Sequence, residues 1–140
     1  SVTLHREMAH PHLWNSLHSL GIAEINLVYP RQAALHFKEC LQISSVSDNM
    51  VARDLLGMAR AALQMNQARN GAQLLGAGKR LADMKNKHSS PVDQKEYERC
   101  WAEAKAQLDE SAFAQAISEG EALNREEAVA LALAMEIAAD

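Results

Sequence analysis

The chain has 140 residues, 48% of them apolar and only 4% aromatic, and a formal charge of −4. That apolar content excludes a disordered tail. The acidic balance, with Lys and Arg scattered along the chain, argues against a nucleic-acid binder, which needs a basic face. From Asp109 to Asp140 the acids are Asp109, Glu110, Glu119, Glu121, Glu126, Glu127, Glu136 and Asp140, against the single base Arg125, so this region repels phosphate.

Two cysteines, Cys40 and Cys100, are too few for a disulfide framework. They leave either one bridge or two buried thiols, and the second, with a cytoplasmic location, is the expectation. No apolar run reaches the ~18 residues of a membrane span, and no signal peptide is recognisable. Ala and Leu supply most of the apolar residues and β-branched residues are sparse, which predicts an all-α fold.

The chain lacks an initiating Met and opens on Ser1–Met8, which reads as a helix already under way, so a longer parent protein is expected. Pro11 suits the first turn of the next helix. Leu13, Leu17, Leu20, Ile25 and Leu27 recur near helical spacing, and Tyr29-Pro30 ends the run. A helix from Arg31 to about Ile43 carries Ala33, Ala34, Phe37, Cys40 and Leu41 on one side; the short connection makes the pair antiparallel. Ser44–Asn49 is a polar break, with Ser47 or Asp48 available as a cap. The following helix, about Asn49 to Met65, carries Val51, Leu55, Met58, Ala59, Ala62 and Leu63. After a turn at Asn66–Gly71 comes a helix from about Ala72 to Asn86, with Leu74, Leu75, Ala77, Leu81 and Met84.

Lys85–Ser90 reads as an exposed loop. Ser90-Pro91-Val92-Asp93 starts a helix to about Leu108, with Tyr97, Trp101, Ala104 and Leu108 on its apolar side. Asp109 caps a shorter helix that ends at Gly120. Asn124 and Glu127 form a capping box for a last helix from Arg125 to about Ala138, whose stripe is Val129, Ala132, Leu133, Met135 and Ile137. The sum is seven helices with an N-terminal stub and no strand. Residues 1–88 read as helical hairpins entered in mid-repeat, and 89–140 as a C-terminal helical cap of the same domain.

Helix pairs in series call for a search for periodicity. With Leu20-Gly21 as the leucine-glycine pair, Leu17, Gly21, Ala33, Phe37 and Cys40 match the pattern of the tetratricopeptide repeat, and Glu24 stands at an aromatic position. Gly21 and Ala33 would let two helices approach closely, while Leu17, Leu20 and Phe37 fill the seam. A second unit uses Leu56, Ala59 and Ala72, with Ala72 in the place that Ala33 takes in the first. Arg60 and Gly76 stand there where Gly and an aromatic are usual.

The runs Leu55-Leu56-Gly57-Met58-Ala59, Gly71-Ala72-Gln73-Leu74-Leu75-Gly76-Ala77, Tyr97-Glu98, Phe113-Ala114 with Glu119-Gly120, and Glu126-Glu127-Ala128-Val129-Ala130-Leu131-Ala132 resemble the C-terminal end of large bacterial regulators. Such regulators join a signal-transduction ATPase domain to a tetratricopeptide array and a LuxR-type or SARP-type DNA-binding domain, or in some relatives a kinase or adenylate cyclase domain. The resemblance covers nearly the whole chain and is most specific over Phe113–Leu133. It implies a tetratricopeptide-like solenoid, a sensor or scaffold role and no active site. The family pattern places a partner-binding groove at Asn15, His18, Ile22 and Asn26, then at Asp54, Ala61 and Gln64. An Asn amide there offers both donor and acceptor to an extended peptide.

Chemical motifs are weak. Gly71–Lys79 lacks the Lys-Ser/Thr directly after the second glycine that a phosphate loop requires, so Gly76 and Gly78 read as helix-packing glycines. His10-Pro11-His12 offers two metal ligands without a third. Cys40 reads as a core thiol with no base positioned beside it. Phe113–Leu133 has the outline of a DNA-binding helix-turn-helix but a single Arg for phosphate or base edges. Trp14 and Trp101 read as packing anchors.

The expectation is a non-catalytic interaction or sensor module of a multidomain transcriptional regulator, with no cofactor, metal, membrane or direct nucleic-acid contact. Its partner would be a protein, a peptide or another domain of the same parent chain. The alternative is a structural solenoid cap or an oligomerisation domain, with homodimerisation possible, of a tetratricopeptide-containing signalling protein such as a kinase or adenylate cyclase.

Overall fold

The computed structural model describes residues 2–43, 48–85, 91–135 and 137, with side chains described over 13–43, 50–82, 94–135 and 137. The side chains of the His10-Pro11-His12 pair, and most of the two expected loops near 44–49 and 85–90, lie outside these. Among the described residues there are seven helices and no strand: α1 (Val2–Asn26), α2 (Pro30–Ile43), α3 (Asp48–Gln64), α4 (Ala68–Lys85), α5 (Pro91–Gln107), α6 (Glu110–Glu121) and α7 (Arg125–Ala134). The expected stub and the helix after it are one helix, because α1 runs through Pro11. A proline removes a single ladder bond and does not by itself end a helix.

Two turns define the architecture. At the end of α1 the Tyr29 N–H donates to the Glu24 carbonyl (2.7 Å) and the Val28 N–H to that of Ile25 (3.1 Å). At the end of α3 the Gln67 N–H donates to the Ala62 carbonyl (2.8 Å) and the Asn66 N–H to that of Leu63 (3.2 Å). Both are Schellman closures, and each puts one residue in the left-handed region: Val28 at φ 61° and Asn66 at φ 62°. In each case a single residue separates that position from the next helix.

The two hairpins therefore repeat at the separation of Val28 and Asn66, one residue shorter than the offset expected from aligning Ala33 with Ala72. In that register Gly21 corresponds to Ala59 and Ala33 to Gly71, small residues in both hairpins, while Leu75 stands where the first hairpin has Phe37, apolar but not aromatic. The turn fixes the register, and composition alone misplaced it. Gly71 lies inside α4 rather than in the turn, since Asn66 already supplies the left-handed residue.

Asn tolerates that conformation and valine does not. Val28→Gly is expected to stabilise the fold by about 1 kcal/mol, the left-handed penalty less the added chain entropy of glycine. Val28 is exposed, so little packing is lost. A urea titration should show a higher midpoint at unchanged slope; a lower midpoint would mean that the turn carries no strain.

α2 buries the five residues its spacing predicts, Ala33, Ala34, Phe37, Cys40 and Leu41. The Phe37 ring lies between two helices at their glycines. A Cβ added at Gly21 of α1 would stand 2.8 Å from Phe37 Cζ, and one at Gly57 of α3 would overlap the same atom. α1 departs from expectation. Trp14, Gly21 and Ile25 face the core, with His18 partly covered, while Leu13 and Leu20 are exposed and Leu17 is half-buried. The helix is apolar on both sides, so periodicity finds two stripes, and the glycine with its Phe37 contact decides which one turns inward.

α3 is the central helix, packed on α1, α2, α4, α5 and α7. Its Arg60 is buried and reaches α5, where Nη1 lies 3.0 Å from Glu96 Oε2, an ion pair too bent to be a hydrogen bond. α4 and α6 cross at backbone contact: a Cβ on Gly76 would stand 2.5 Å from the Ile117 carbonyl oxygen, and one on Gly120 would run into the Gln73 carbonyl. Gly120 is thus a crossing point and not the expected helix end, which falls at Glu121. Gly76 and Gly78 are packing glycines as read; Gly78 faces Ala52 and Tyr97.

Asp109 caps α6 through the Ala112 N–H (2.7 Å), and the Asn124–Glu127 capping box closes reciprocally at 2.8 and 3.0 Å. α7 ends at Ala134, a turn short of the expected Ala138, because Met135 turns extended and buries its side chain. Its carbonyl accepts a 2.7 Å hydrogen bond from Lys38 Nζ. α5, α6 and α7 together cover α4, the near side of α3 and part of α2.

Candidate functional site

α1 presents Trp14 and His18 one turn apart on its inner face, and their rings stack at 4.7 Å and 18°. Both point at Asp54 in the middle of α3. Trp14 Nε1 donates to the two carboxylate oxygens at 3.2 and 3.0 Å, and His18 Nδ1 lies 3.1 Å from Oδ1. Asp54 is fully buried and Trp14 almost so, while His18 keeps an 18% exposed side chain. A carboxylate taken wholly out of water needs donors at this density, or folding bears its desolvation cost. Phe37 meets the His18 ring edge-on at 5.4 Å.

α2 brings the third group. Cys40 is buried, and its Sγ donates weakly to the Trp14 carbonyl at 3.9 Å. His18, Cys40 and Asp54 each turn one ligand-type atom inward, all within 4.8 Å of one another. No base beside Cys40 is apparent in the sequence; the fold places an imidazole and a carboxylate there from two other helices, α1 and α3. Burial, then the Asp54 charge, then Glu39, hold the Cys40 thiol well above its ordinary range. It is therefore a protonated thiol at neutral pH, poorly suited to nucleophilic attack. Cys100, buried on α5, is pushed up to about 12, first by burial and then by Glu103. Both cysteines are free.

The expected groove residues divide. Asn15 and Asn26 are exposed on α1, and Ile22 is half-buried between them. His18 is partly exposed but committed to Asp54. Asp54 and Ala61 belong to the core and not to an open groove, which corrects their placement: α3 is enclosed on nearly every side, so family positions that would face solvent are covered here. Gln64 is half-buried and donates through Nε2 to the Ile25 carbonyl at 2.9 Å, tying α3 to the end of α1.

Sequence reasoning missed Trp14 as a donor. It also missed Glu24, the charged residue at an aromatic position, which is buried because His36 Nδ1 sits 2.5 Å from its Oε1. The available signal was spacing: Trp14, His18, Gly21 and Ile25 fall on one helical face.

Two further surfaces stand out. Between α4 and α5 a cleft of about 530 Å³ is lined by Lys79, Tyr97, Trp101 and Lys105. Lys79 Nζ lies 4.8 Å from the Trp101 ring centre, and Trp101 meets Phe113 edge-on at 5.1 Å. The outer face of α1 and its turn expose Leu13, Leu20, Leu27, Val28 and Tyr29, joined by Leu35 of α2. From Leu13 to Tyr29 the only titratable side chains besides Tyr29 are His18 and Glu24, both turned inward, so this outer face carries no Asp, Glu, Lys or Arg. No helix among the described residues is long and apolar enough to cross a membrane. Comparison with models of known families, with curated proteins and with solved structures found no match.

Proposed function

We propose that the chain is a non-catalytic protein-interaction module, built as a tetratricopeptide-like solenoid and serving as the sensor or scaffold part of a cytoplasmic, multidomain bacterial regulator of the LuxR or SARP type. The observation that carries the reading is the pair of matching left-handed turns at Val28 and Asn66, each joining two helices through small residues at the seam. Serial hairpins of that kind offer the first helix of a pair as a binding surface; with α3 enclosed, α1 is the helix that presents one here. The exposed Asn15 and Asn26 amides, with Ile22 between them, give that surface paired donors and acceptors beside an apolar residue, the chemistry of an extended peptide. The acid-rich stretch from Asp109 onward favours a protein partner, or another domain of the same parent chain, over DNA.

The test is a peptide library panned against the chain. Peptides selected on the native protein are expected to bind an Asn15→Ala/Asn26→Ala double variant about tenfold more weakly, the loss of one or two hydrogen bonds at roughly 1 kcal/mol each. The unfolding curve should not move, because both side chains are exposed. Equal affinity for the variant would remove the groove.

A second reading, a structural or self-associating role, is favoured by the apolar outer face over residues 13–29, where no Asp, Glu, Lys or Arg points outward. Exposed apolar patches of this kind mark surfaces that another chain covers. Sedimentation of the purified chain across a hundredfold concentration range separates the two: a monomer throughout leaves only the interaction module.

A further inference from the structure

We propose that His18, Cys40 and Asp54 form a binding site for a zinc-type divalent cation, with a fourth coordination position left to water or to an outside ligand. Among the described residues these three are the one group of His, Cys and carboxylate side chains placed to share an ion. Each comes from a different helix, α1, α2 and α3, so the cation would clamp the first hairpin to the central helix. The assignment does not rest on the peptide groove, although His18 lies between Asn15 and Ile22 on α1.

The donor set selects the metal. A thiolate sulfur, an imidazole nitrogen and one carboxylate oxygen suit Zn²⁺ and its neighbours and do not suit Mg²⁺ or Ca²⁺, which require oxygen shells. Charge balance agrees: one thiolate and one carboxylate neutralise a divalent ion, so a buried site ends with no net charge to desolvate. Trp14 supplies outer-shell support. Its Nε1–H donates to both Asp54 oxygens, so Oδ2 can stay held while Oδ1 turns to the ion. The partly exposed His18 edge is the way in.

On binding, Cys40 loses its thiol proton to buffer, an Sγ–metal bond forms, and the metal sheds waters. His18 binds through Nδ1 with its ring proton on Nε2. Ligands of one tetrahedral zinc lie about 3.5 Å apart, given bonds of about 2.0–2.3 Å. The three groups, now within 4.8 Å, must therefore draw in by up to about 1.3 Å to reach that separation.

The test uses the whole chain, stripped with chelator and titrated with Co²⁺ as the spectroscopic stand-in, then with Zn²⁺ as competitor. The expected result is uptake of one Co²⁺ per chain with a thiolate-to-cobalt charge-transfer band, quenching of tryptophan fluorescence through the adjacent Trp14, and displacement by Zn²⁺. The melting temperature should rise by several degrees in excess Zn²⁺. Cys40→Ala, small enough for its core position and checked for helicity, should abolish the band. His18→Ala should weaken uptake at least tenfold, and Cys100→Ala should leave both unchanged. The proposal is overturned if folded native chain shows no charge-transfer band, if the band survives Cys40→Ala, or if cobalt binds without it, as it would at the His10/His12 pair.

Discussion

Replacing Phe37 with alanine is expected to cost about 4 kcal/mol, within the range for deleting a fully buried phenyl ring. A domain of this size is stable by roughly 5–15 kcal/mol, so the loss is a large share of the total. The ring fills the seam where α1, α2 and α3 meet, and the Cβ positions of both Gly21 and Gly57 are closed off by it. The same geometry predicts a reversal of sign. Gly57→Ala should destabilise the native protein by about 1–2 kcal/mol, because overpacking exceeds the gain of about 1 kcal/mol in helix propensity. In the Phe37→Ala background the space is open and the propensity gain remains, so Gly57→Ala should stabilise. Urea midpoints of the four proteins complete the cycle. The same sign in both backgrounds would mean that the ring does not occupy the space between the glycines.

Gly120→Ala is expected to be comparably harmful, about 3 kcal/mol, at the upper end for overpacking. The added carbon meets a main-chain carbonyl, that of Gln73, rather than a flexible side chain. Neither helix can yield locally, so α4 and α6 must separate. That pulls on the Arg69–Glu119 pair at 3.1 Å and the Gln73–Glu119 hydrogen bond at 3.0 Å. Gly71→Ala is the milder comparison: its Cβ would stand 3.1 Å from Leu63 side-chain atoms and 3.2 Å from the Ala59 carbonyl oxygen, tight contacts that a shift of a few tenths of an ångström relieves, so it should cost under about 1 kcal/mol. Thermal melts of the two variants decide it, and equal melting temperatures would refute the crossing.

Much of this arrangement is legible in the sequence where a local signal coincides with the global one. Asp109 and Asn124 cap helices as their spacing indicates, because a cap is satisfied within its own first turn. α2 buries the side that its spacing marks, since it has one apolar face. α1 has two, and nothing local says which of Leu13–Leu17–Leu20 or Trp14–Gly21–Ile25 turns inward. Gly120 carries a helix-ending signature, yet its neighbour across the crossing, Gln73, belongs to a helix far back in the chain, so the local cue pointed to the wrong use. The family pattern puts Asp54 in an open groove and Glu24 at an aromatic position, and nothing local marks either as a buried, paired carboxylate, since charged residues are seldom buried; their partners His18 and His36 lie on other helices. The polar cluster, whose hydrogen bonds all join different helices, was the least legible part.

The hydrogen bond from Lys38 to the Met135 carbonyl joins residues 97 apart in sequence. On the ribosome, each of the first two hairpins can close as soon as its own second helix emerges, since its contacts are local. The Met135 latch must wait until nearly all of these helices have been made. Synthesis thus leaves the flank of α2, α3 and α4 on which α7 packs uncovered until that residue has emerged, and this late-sealed side is where a chaperone would find its longest opportunity.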